Sequence, residues 1–154
     1  MPYKIAEKRM LNPTVFLMEV EAPLVARKAE PGQFIILRID ENGERVPFTV
    51  ADFDREKGTV TIIVQAVGKT TRDMQKLRTG DSILDFAGPL GMPTPLEGKK
   101  KVAVIGGGLG TAIAYPQAQK LKALGASVTV ITGFRSEDFI ILKDEMQAVA
   151  DKLI

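Results

Sequence analysis

Hydrophobic positions change their spacing once along this chain. Before residue 97 the apolar side chains recur in short alternating or β-branched runs: Tyr3–Met10, Val15–Glu21, Gln33–Ile39, Arg45–Ala51 and Thr59–Val67. Such runs carry the period of two expected of strands. Asn12-Pro13, Pro31-Gly32, Glu41-Asn42-Gly43 and Lys57-Gly58 supply the turns between them. Thr70–Leu77 interrupts the series with a short helical stretch, for which Thr70 or Thr71 is a suitable N-cap. Thr79-Gly80-Asp81 ends that helix, and Ser82–Phe86 begins another strand. Many short strands at this spacing predict a small antiparallel barrel or a sandwich.

From Lys101 the pattern becomes β–α–β. Val102–Ile105 reads as a buried strand, Thr111–Leu124 as a helix ended by Gly125, and Ser127–Thr132 as a second strand. Beyond the turn at Gly133-Phe134-Arg135, Leu142–Leu153 reads as another helix. Parallel strands joined by helical crossovers open a doubly wound sheet. The expected architecture is therefore a β-barrel over residues 1–97 and a Rossmann-like α/β part over 100–154, hinged at Met92–Gly98. Only two clear strands fall in the second part, against roughly four to six in a complete open sheet. An unpaired parallel edge is costly, so the α/β part is expected to be truncated or completed by a partner.

Composition narrows the chemistry. Of 154 residues, 45% are apolar, enough for a core, and the formal charge is only +2. The basic residues are dispersed. Lys99–Lys101 is a solvated lead-in to a strand, and no motif supports nucleic-acid binding. No run approaches the roughly 20 apolar residues of a membrane span, and the N-terminus lacks the apolar region of a signal peptide. The chain reads as cytoplasmic. With no cysteine, it holds neither a disulfide nor a thiolate-bound cluster; with no histidine, it lacks the commonest general base and metal ligand. No metal site is expected. A cofactor that carries its own chemistry suits such a chain better than a triad or a zinc site.

The glycines say where such a cofactor would sit. Strand Val102–Ile105 runs into Gly106, Gly107, Gly108 and Gly110, and a helix follows at once. Backbone N–H groups without side chains, beside the positive end of a helix dipole, form a site for a diphosphate. Gly106 and Gly108 fit the dinucleotide fingerprint, while Thr111 takes the third glycine position. The same residues would also serve as a tight turn with no ligand.

Three segments in the β-rich part carry similar signals. In Arg45-Val46-Pro47-Phe48-Thr49, a proline within a strand frees backbone polar groups near Thr49 to face a planar heterocycle. Arg45 would hold a phosphate there, and Phe48 or the backbone would lie along a ring. The alternative is an ordinary edge strand. Gly68-Lys69-Thr70-Thr71 opens a helix with two hydroxyls and a lysine, which makes either an anion site or a plain capped helix. Ala87-Gly88-Pro89-Leu90-Gly91-Met92-Pro93 is either a further specific loop or a rigid interdomain turn.

In this order, Pro-Gly-Gln-Phe (31–34), Arg-x-Pro-Phe-Thr, Gly-Lys-Thr-Thr, Gly-Pro-Leu-Gly and Gly-Gly-Gly-x-Gly resemble the ferredoxin–NADP reductase superfamily along the whole chain. The chain is most similar to the flavin subunits of NAD(P)H–ferredoxin oxidoreductases of the sulfide dehydrogenase type. The electron-transfer subunit of dihydroorotate dehydrogenase and the flavin subunit of soluble hydrogenases are related. The resemblance implies an FAD-binding barrel followed by an NAD(P)-binding α/β domain. Pro47, Phe48 and Thr49 would lie along the isoalloxazine, with Thr49 as the catalytic residue at its N5 edge. Arg45 and Gly68–Thr71 would hold the FAD diphosphate. Gly106–Gly110 would hold that of NAD(P)H, with Arg135 near its ribose.

The implied activity is hydride transfer between NAD(P)H and FAD. Electrons would pass on to a ferredoxin-like iron–sulfur carrier, in the company of a larger oxidoreductase subunit. The alternative is a non-catalytic FAD subunit that relays a partner's electrons, as in dihydroorotate dehydrogenase or hydrogenase complexes. NAD and NADP both stay open. Arg135 suits a 2′-phosphate, and no acid follows Ser127–Thr132, yet the relatives include NAD(H) users. Two departures stand out. Val46 occupies the place of the superfamily's arginine and Arg45 stands one position earlier, and a one-residue offset on a strand changes the face. The family's cysteine-rich [2Fe–2S] segment has no counterpart here, so such a cluster belongs to further sequence or to a partner.

Overall fold

In the computed structural model, which describes residues 1–154, eight strands build two antiparallel sheets. They are β1 (Tyr3–Met10), β2 (Val15–Glu21), β3 (Phe34–Arg38), β4 (Val46–Thr49), β5 (Asp52–Asp54), β6 (Thr59–Gln65), β7 (Ser82–Ile83) and β8 (Asp85–Leu90). The sheet orders are β5-β6-β2-β1-β7 and β4-β3-β8. Their inward side chains, among them Phe16, Met18, Ile35, Leu37 and Ile62, share one buried cluster, which makes the assembly barrel-like. Two predicted strands are shorter because the chain changes sheet within them. Val50 N–H bonds Gln33 O (3.0 Å) and Ala51 N–H bonds Thr61 O (2.9 Å), so Arg45–Ala51 stops at Thr49 and crosses over. Ser82–Phe86 splits at Leu84, whose N–H bonds Ile39 O (3.0 Å). Helix α1 (Pro23–Lys28), not anticipated, starts on a proline whose fixed φ suits a first helical turn, and buries Val25 and Ala26.

Helix α2 (Lys69–Lys76) precedes β7. After it come β9 (Lys101–Gly107), α3 (Gly110–Ala123), β10 (Ser127–Gly133), a 3-10 turn at Glu137–Phe139, α4 (Lys143–Val149) and β11 (Lys152–Leu153). The last three strands pair in parallel in the order β11-β10-β9. The expected helix Leu142–Leu153 is therefore corrected: it ends at Val149, and Lys152–Leu153 adds a third strand to the two foreseen. Asp151 makes the break. Its N–H bonds Val128 O (2.8 Å), while its carboxylate accepts Val128 N–H (2.7 Å) and Lys122 Nζ (2.8 Å). Strand β9 is not buried as expected. Val102 and Val104 pack with the helix-side cluster, whereas Lys101, Ala103 and Ile105 face solvent, Ile105 at 72% exposure. Gly106 belongs to the helix side: a Cβ there would stand 2.9 Å from Thr111 Cα, so α3 sits on β9 at glycine distance. No helix is long and apolar enough to cross a membrane.

Strands β2 and β6 join the two parts. Phe16, Met18 and Val20 point into the barrel, as do Val60, Ile62 and Val64. Val15, Leu17 and Ile63 point the other way, into a cluster with Ala112, Ala114, Ala118, Leu121, Val130 and Met146. This explains the unbroken apolar run Val15–Met18, which is buried on both faces. Beside the seam, Glu19, Asp52, Tyr115 and Glu145 line a cleft of about 140 Å³. Burial raises the Asp52 carboxyl above its ordinary value, and Asp54 and Glu19 add to the shift. Burial, followed by Asp52 and Glu145, pushes the Tyr115 phenol up to about 12.

Because Asp52 binds its proton more tightly in the folded chain, it favours folding in acid and loses that contribution as pH rises through its folded pKa. Asp52→Asn, which keeps an acceptor for the Phe53 N–H, should be more stable than the parent at neutral pH. The gap should close below the ordinary aspartate range. Urea unfolding at a series of pH values measures it, and a pH-independent gap would contradict the assignment.

Candidate functional site

Alternation along β4 sorts the first group of residues. Val46 and Phe48 lie opposite Leu37 and Ile35, both fully buried, and Phe48 packs against the barrel core. The Phe48 side chain is half-buried and turned toward the core, which leaves its backbone on the side of Pro47 and Thr49. Pro47 and Thr49 take the outer face, opposite Ile36 and Phe34. Arg45 keeps to that side as well. Its Nη2 stands 3.7 Å from Asp85 Oδ2, which accepts Arg38 Nε at 2.7 Å, and Arg38 and Asp85 pair one step from the buried Leu37–Phe86 pair. The one-residue offset thus puts Arg45 on the face of Thr49 and turns Val46 inward. Tyr3, Ile36, Arg45, Asp85 and Ala87 line a hollow of about 420 Å³ there. Arg38 and Asp85 were missed; the alternation Phe34, Ile36, Arg38 held the signal for the first, and the second needs the β3–β8 register.

Two motifs far apart in sequence form one support behind β3. Gln33 Oε1 accepts Glu30 N–H (3.0 Å), and Gln33 Nε2 donates to Gly91 O (2.9 Å). Thr94 N–H bonds Pro31 O (2.9 Å). Gly32, at φ 95°, lies against Thr94, and a Cβ would run into its hydroxyl. Residues 31–34 and the loop 88–94 are thereby fastened together.

The start of α2 differs in detail from expectation. Gly68 is the N-cap rather than Thr70 or Thr71. Thr71, three residues on, accepts the N–H groups of Val67 and Gly68 at 2.9 Å and donates to Gly68 O at 3.2 Å. Its hydroxyl is therefore committed to shaping the turn, and anion-binding capacity falls to the first-turn amides of Lys69, Thr70 and Thr71. The Lys69 side chain is 89% exposed and only loosely paired with Asp73 (3.8 Å). At the other end, Lys8 of β1 donates Nζ to the carbonyls of Gln75 and Leu77. Burial lowers the Lys8 pKa, against the pull of Asp81. Strand β6, which leads into α2, packs along β4.

The glycine loop lies at the C-terminal ends of β9 and β10, where Gly107 is level with Gly133. Gly108 N–H bonds Gly133 O (2.8 Å), which brings the turn Gly133–Arg135 beside the loop. Thr111 N–H bonds Gly108 O (3.1 Å) and Ala112 N–H bonds Leu109 O (3.0 Å). The expected row of bare amides is thus narrower, with the N–H groups of Leu109 and Gly110 left without an acceptor. Nothing stands within 4 Å of where a Cβ would be on Gly107, Gly108 or Gly110, so a ligand has room against the backbone. Thr111 is fully buried, and its Oγ1 has no partner. Arg135 is exposed and makes no ion pair. An open glycine loop, two unpaired amides and an unpaired hydroxyl fit a nucleotide diphosphate.

Comparison with known proteins agrees with the barrel. The family model described as an oxidoreductase FAD-binding domain matches residues 2–94. An uncharacterised protein from the adh 3′ region of Clostridium beijerinckii is 45% identical over 98% of the chain and 53% of its own length. A Thermotoga maritima homolog of the electron transfer subunit of dihydroorotate dehydrogenase B (NAD(+)) is 40% identical over 98% of the chain and 54% of its own. The chain therefore spans about half the length of the curated relatives it matches. Among solved structures, an NADH-dependent reduced ferredoxin-NADP oxidoreductase studied for flavin-based electron bifurcation superposes at TM-score 0.94. It is 40% identical and covers all of the chain and 56% of its own. The ferredoxin-NADP+ reductase of Plasmodium falciparum, at 18% identity and TM-score 0.79, has the same fold over 96% of the chain and 63% of its own. The antiparallel barrel is thus followed by a parallel α/β layer in the ferredoxin-NADP reductase manner, and the chain belongs to the oxidoreductase FAD-binding domain family.

Proposed function

We propose that this chain is the FAD- and nicotinamide-nucleotide-binding part of an electron-transfer oxidoreductase. The observation that carries the reading is the pairing of an outward β4 face, presenting Arg45, Pro47 and Thr49, with an open glycine loop on a second layer welded to the same barrel. FAD, when bound, supplies acceptance of a hydride from NAD(P)H and its release as single electrons. The chain supplies binding, orientation and polarity. Pro47, the Phe48 backbone and Thr49 would support the isoalloxazine, with the Thr49 hydroxyl as a hydrogen-bond donor at its edge. Arg45 and the first-turn amides of α2, shaped by Gly68 and Thr71 and flanked by Lys69 and Thr70, would neutralise the FAD diphosphate. Gly106–Gly110 would receive the second nucleotide's diphosphate, and Arg135 would meet its ribose.

The domain division at residues 97–100 belongs to the same reading, with the residues after it forming the first part of the nucleotide layer. The acceptor would be an iron–sulfur carrier such as ferredoxin, held by a partner or by further sequence, within a complex that includes a larger subunit. The homolog described as an electron transfer subunit favours a second form, in which the flavin relays a partner's electrons without a catalytic step of its own. Reduction of bound FAD by NADH or NADPH in the isolated chain separates the two.

Gly110 gives a clean test of the glycine loop. An acidic side chain at a helix start favours the helix but repels a phosphate. Gly110→Asp should leave thermal stability unchanged and weaken pyridine-nucleotide binding by about a hundredfold or more, the scale of one close like-charge contact in a partly buried site. Unchanged affinity by calorimetry would remove the loop from the reading. Thr49→Ala should slow FAD reduction by about tenfold or more through loss of a positioned donor, with FAD affinity nearly unchanged. Stopped-flow absorbance checks it, and an equal loss in FAD affinity would make Thr49 a binding residue only.

A further inference from the structure

The seam between the two layers is apolar and mixes alanines with larger aliphatic side chains. Ala51, Ala112, Ala114 and Ala118 take part in it beside Val15, Leu17 and Ile63. Apolar contact of this kind resists separation but is non-directional, so it sets an angle poorly. Three polar ties cross the seam: Lys120–Glu30, Arg9–Glu145 at 3.8 Å, and Asn12 Nδ2 to Phe139 O at 3.3 Å. The Lys120 Nζ–Glu30 Oε2 distance, 3.1 Å, is the shortest of them. Glu30 also holds Arg55 Nη2 at 3.0 Å through its other oxygen, and Arg55 in turn donates to Ala29 O. Both oxygens of one carboxylate are thus engaged, one by each layer.

We infer that Glu30 and Lys120 are positioning residues that fix the angle of α3 against the barrel, and with it the glycine loop against the outer face of β4. That consequence for the loop rests on the function proposed above. The connections run in both directions from the pair. Glu30 is tied through Gln33 to Gly91, and its segment leads into Phe34, which lies opposite Thr49. Lys120 stands ten residues along α3 from Gly110, about 15 Å of helix, so a small rotation at Lys120 displaces the loop at the far end. Burial works against the Glu30 charge, but hydrogen bonds from Lys120 and Arg55 outweigh it and hold the carboxyl below its ordinary value. An ion pair about one-third exposed biases an equilibrium between two angles by up to about fivefold. That is enough to set an orientation that the apolar seam leaves open.

The absence of cysteine makes the test direct. Lys57→Cys, in the turn before β6, and Ala148→Cys, on α4, are exposed positions on the two layers. Spin labels there report the interlayer distance by pulsed electron resonance in the full chain. Adding Lys120→Met should broaden the distance distribution, and Lys120→Arg should restore it. The affinity for FAD should change by less than about twofold, because Lys120 pairs with Glu30 and with none of the residues proposed to hold FAD. In the FAD-loaded chain, the long-wavelength absorbance of nicotinamide stacked on flavin should fall by up to about twofold in Lys120→Met and return in Lys120→Arg. A distribution unchanged by Lys120→Met overturns the inference. A broadened one supports it even if that absorbance forms in no variant, a result that would instead overturn the function proposed for the site.

Discussion

Strands β2 and β6 are buried on both faces, and the rest of the molecule depends on that. Alternate residues of one strand, Phe16 and Met18 against Val15 and Leu17, serve two cores at once. An antiparallel barrel can leave its outer face in water. Here part of that face is roofed by α3, and α3 is held down on its other side by a glycine, Gly106, that lets the helix axis approach β9. The two layers are therefore not beads on a linker. Their relative position follows from where small residues permit contact and where a few charges cross the seam.

The two candidate sites use the same physical device at different places. Each joins the end of a strand to the start of a helix, and each leaves backbone amides of the helix start free. At α2 the Thr71 hydroxyl takes the donors of Val67 and Gly68 and shapes the turn. At α3 the loop is tied to its neighbour through Gly108 and Gly133. With neither histidine nor cysteine in the chain, positioning and charge neutralisation are what its side chains have to offer. This division of labour is the one expected where a bound cofactor carries the reaction.

Much of this was legible in the sequence, for identifiable reasons. The period-two runs and the glycine-rich strand–helix junction are local signals, and β1, β2, β3, β6, β9, β10 and α3 fell within a few residues of their expected places, whereas β5 was not foreseen and Ala87–Leu90 of β8 read as a loop or turn. What was not legible depends on distant partners. The break at Asp151 needs Val128 and Lys122 beside it, so Lys152–Leu153 read as helix. The end of β4 at Thr49 is set by bonds from Val50 and Ala51 to different sheets. That Arg45 stands beside Asp85 depends on the β3–β8 register, which no local signal carries. Phe48 followed strand alternation into the core, a consequence of the β3–β4 register rather than of its own aromatic character. Glu30 and Lys120 are 90 residues apart and carry no motif.

In the proposed arrangement, one chain holds a flavin on its barrel and presents a nicotinamide nucleotide to it from the adjoining layer. Its most direct test is the visible spectrum of the FAD-loaded chain during anaerobic titration with NADH and then NADPH. Bleaching of the flavin bands by one or both nucleotides, with about one equivalent consumed per flavin, is the predicted result. A chain that takes up no FAD, or whose bound FAD neither nucleotide reduces although both bind, would contradict the account.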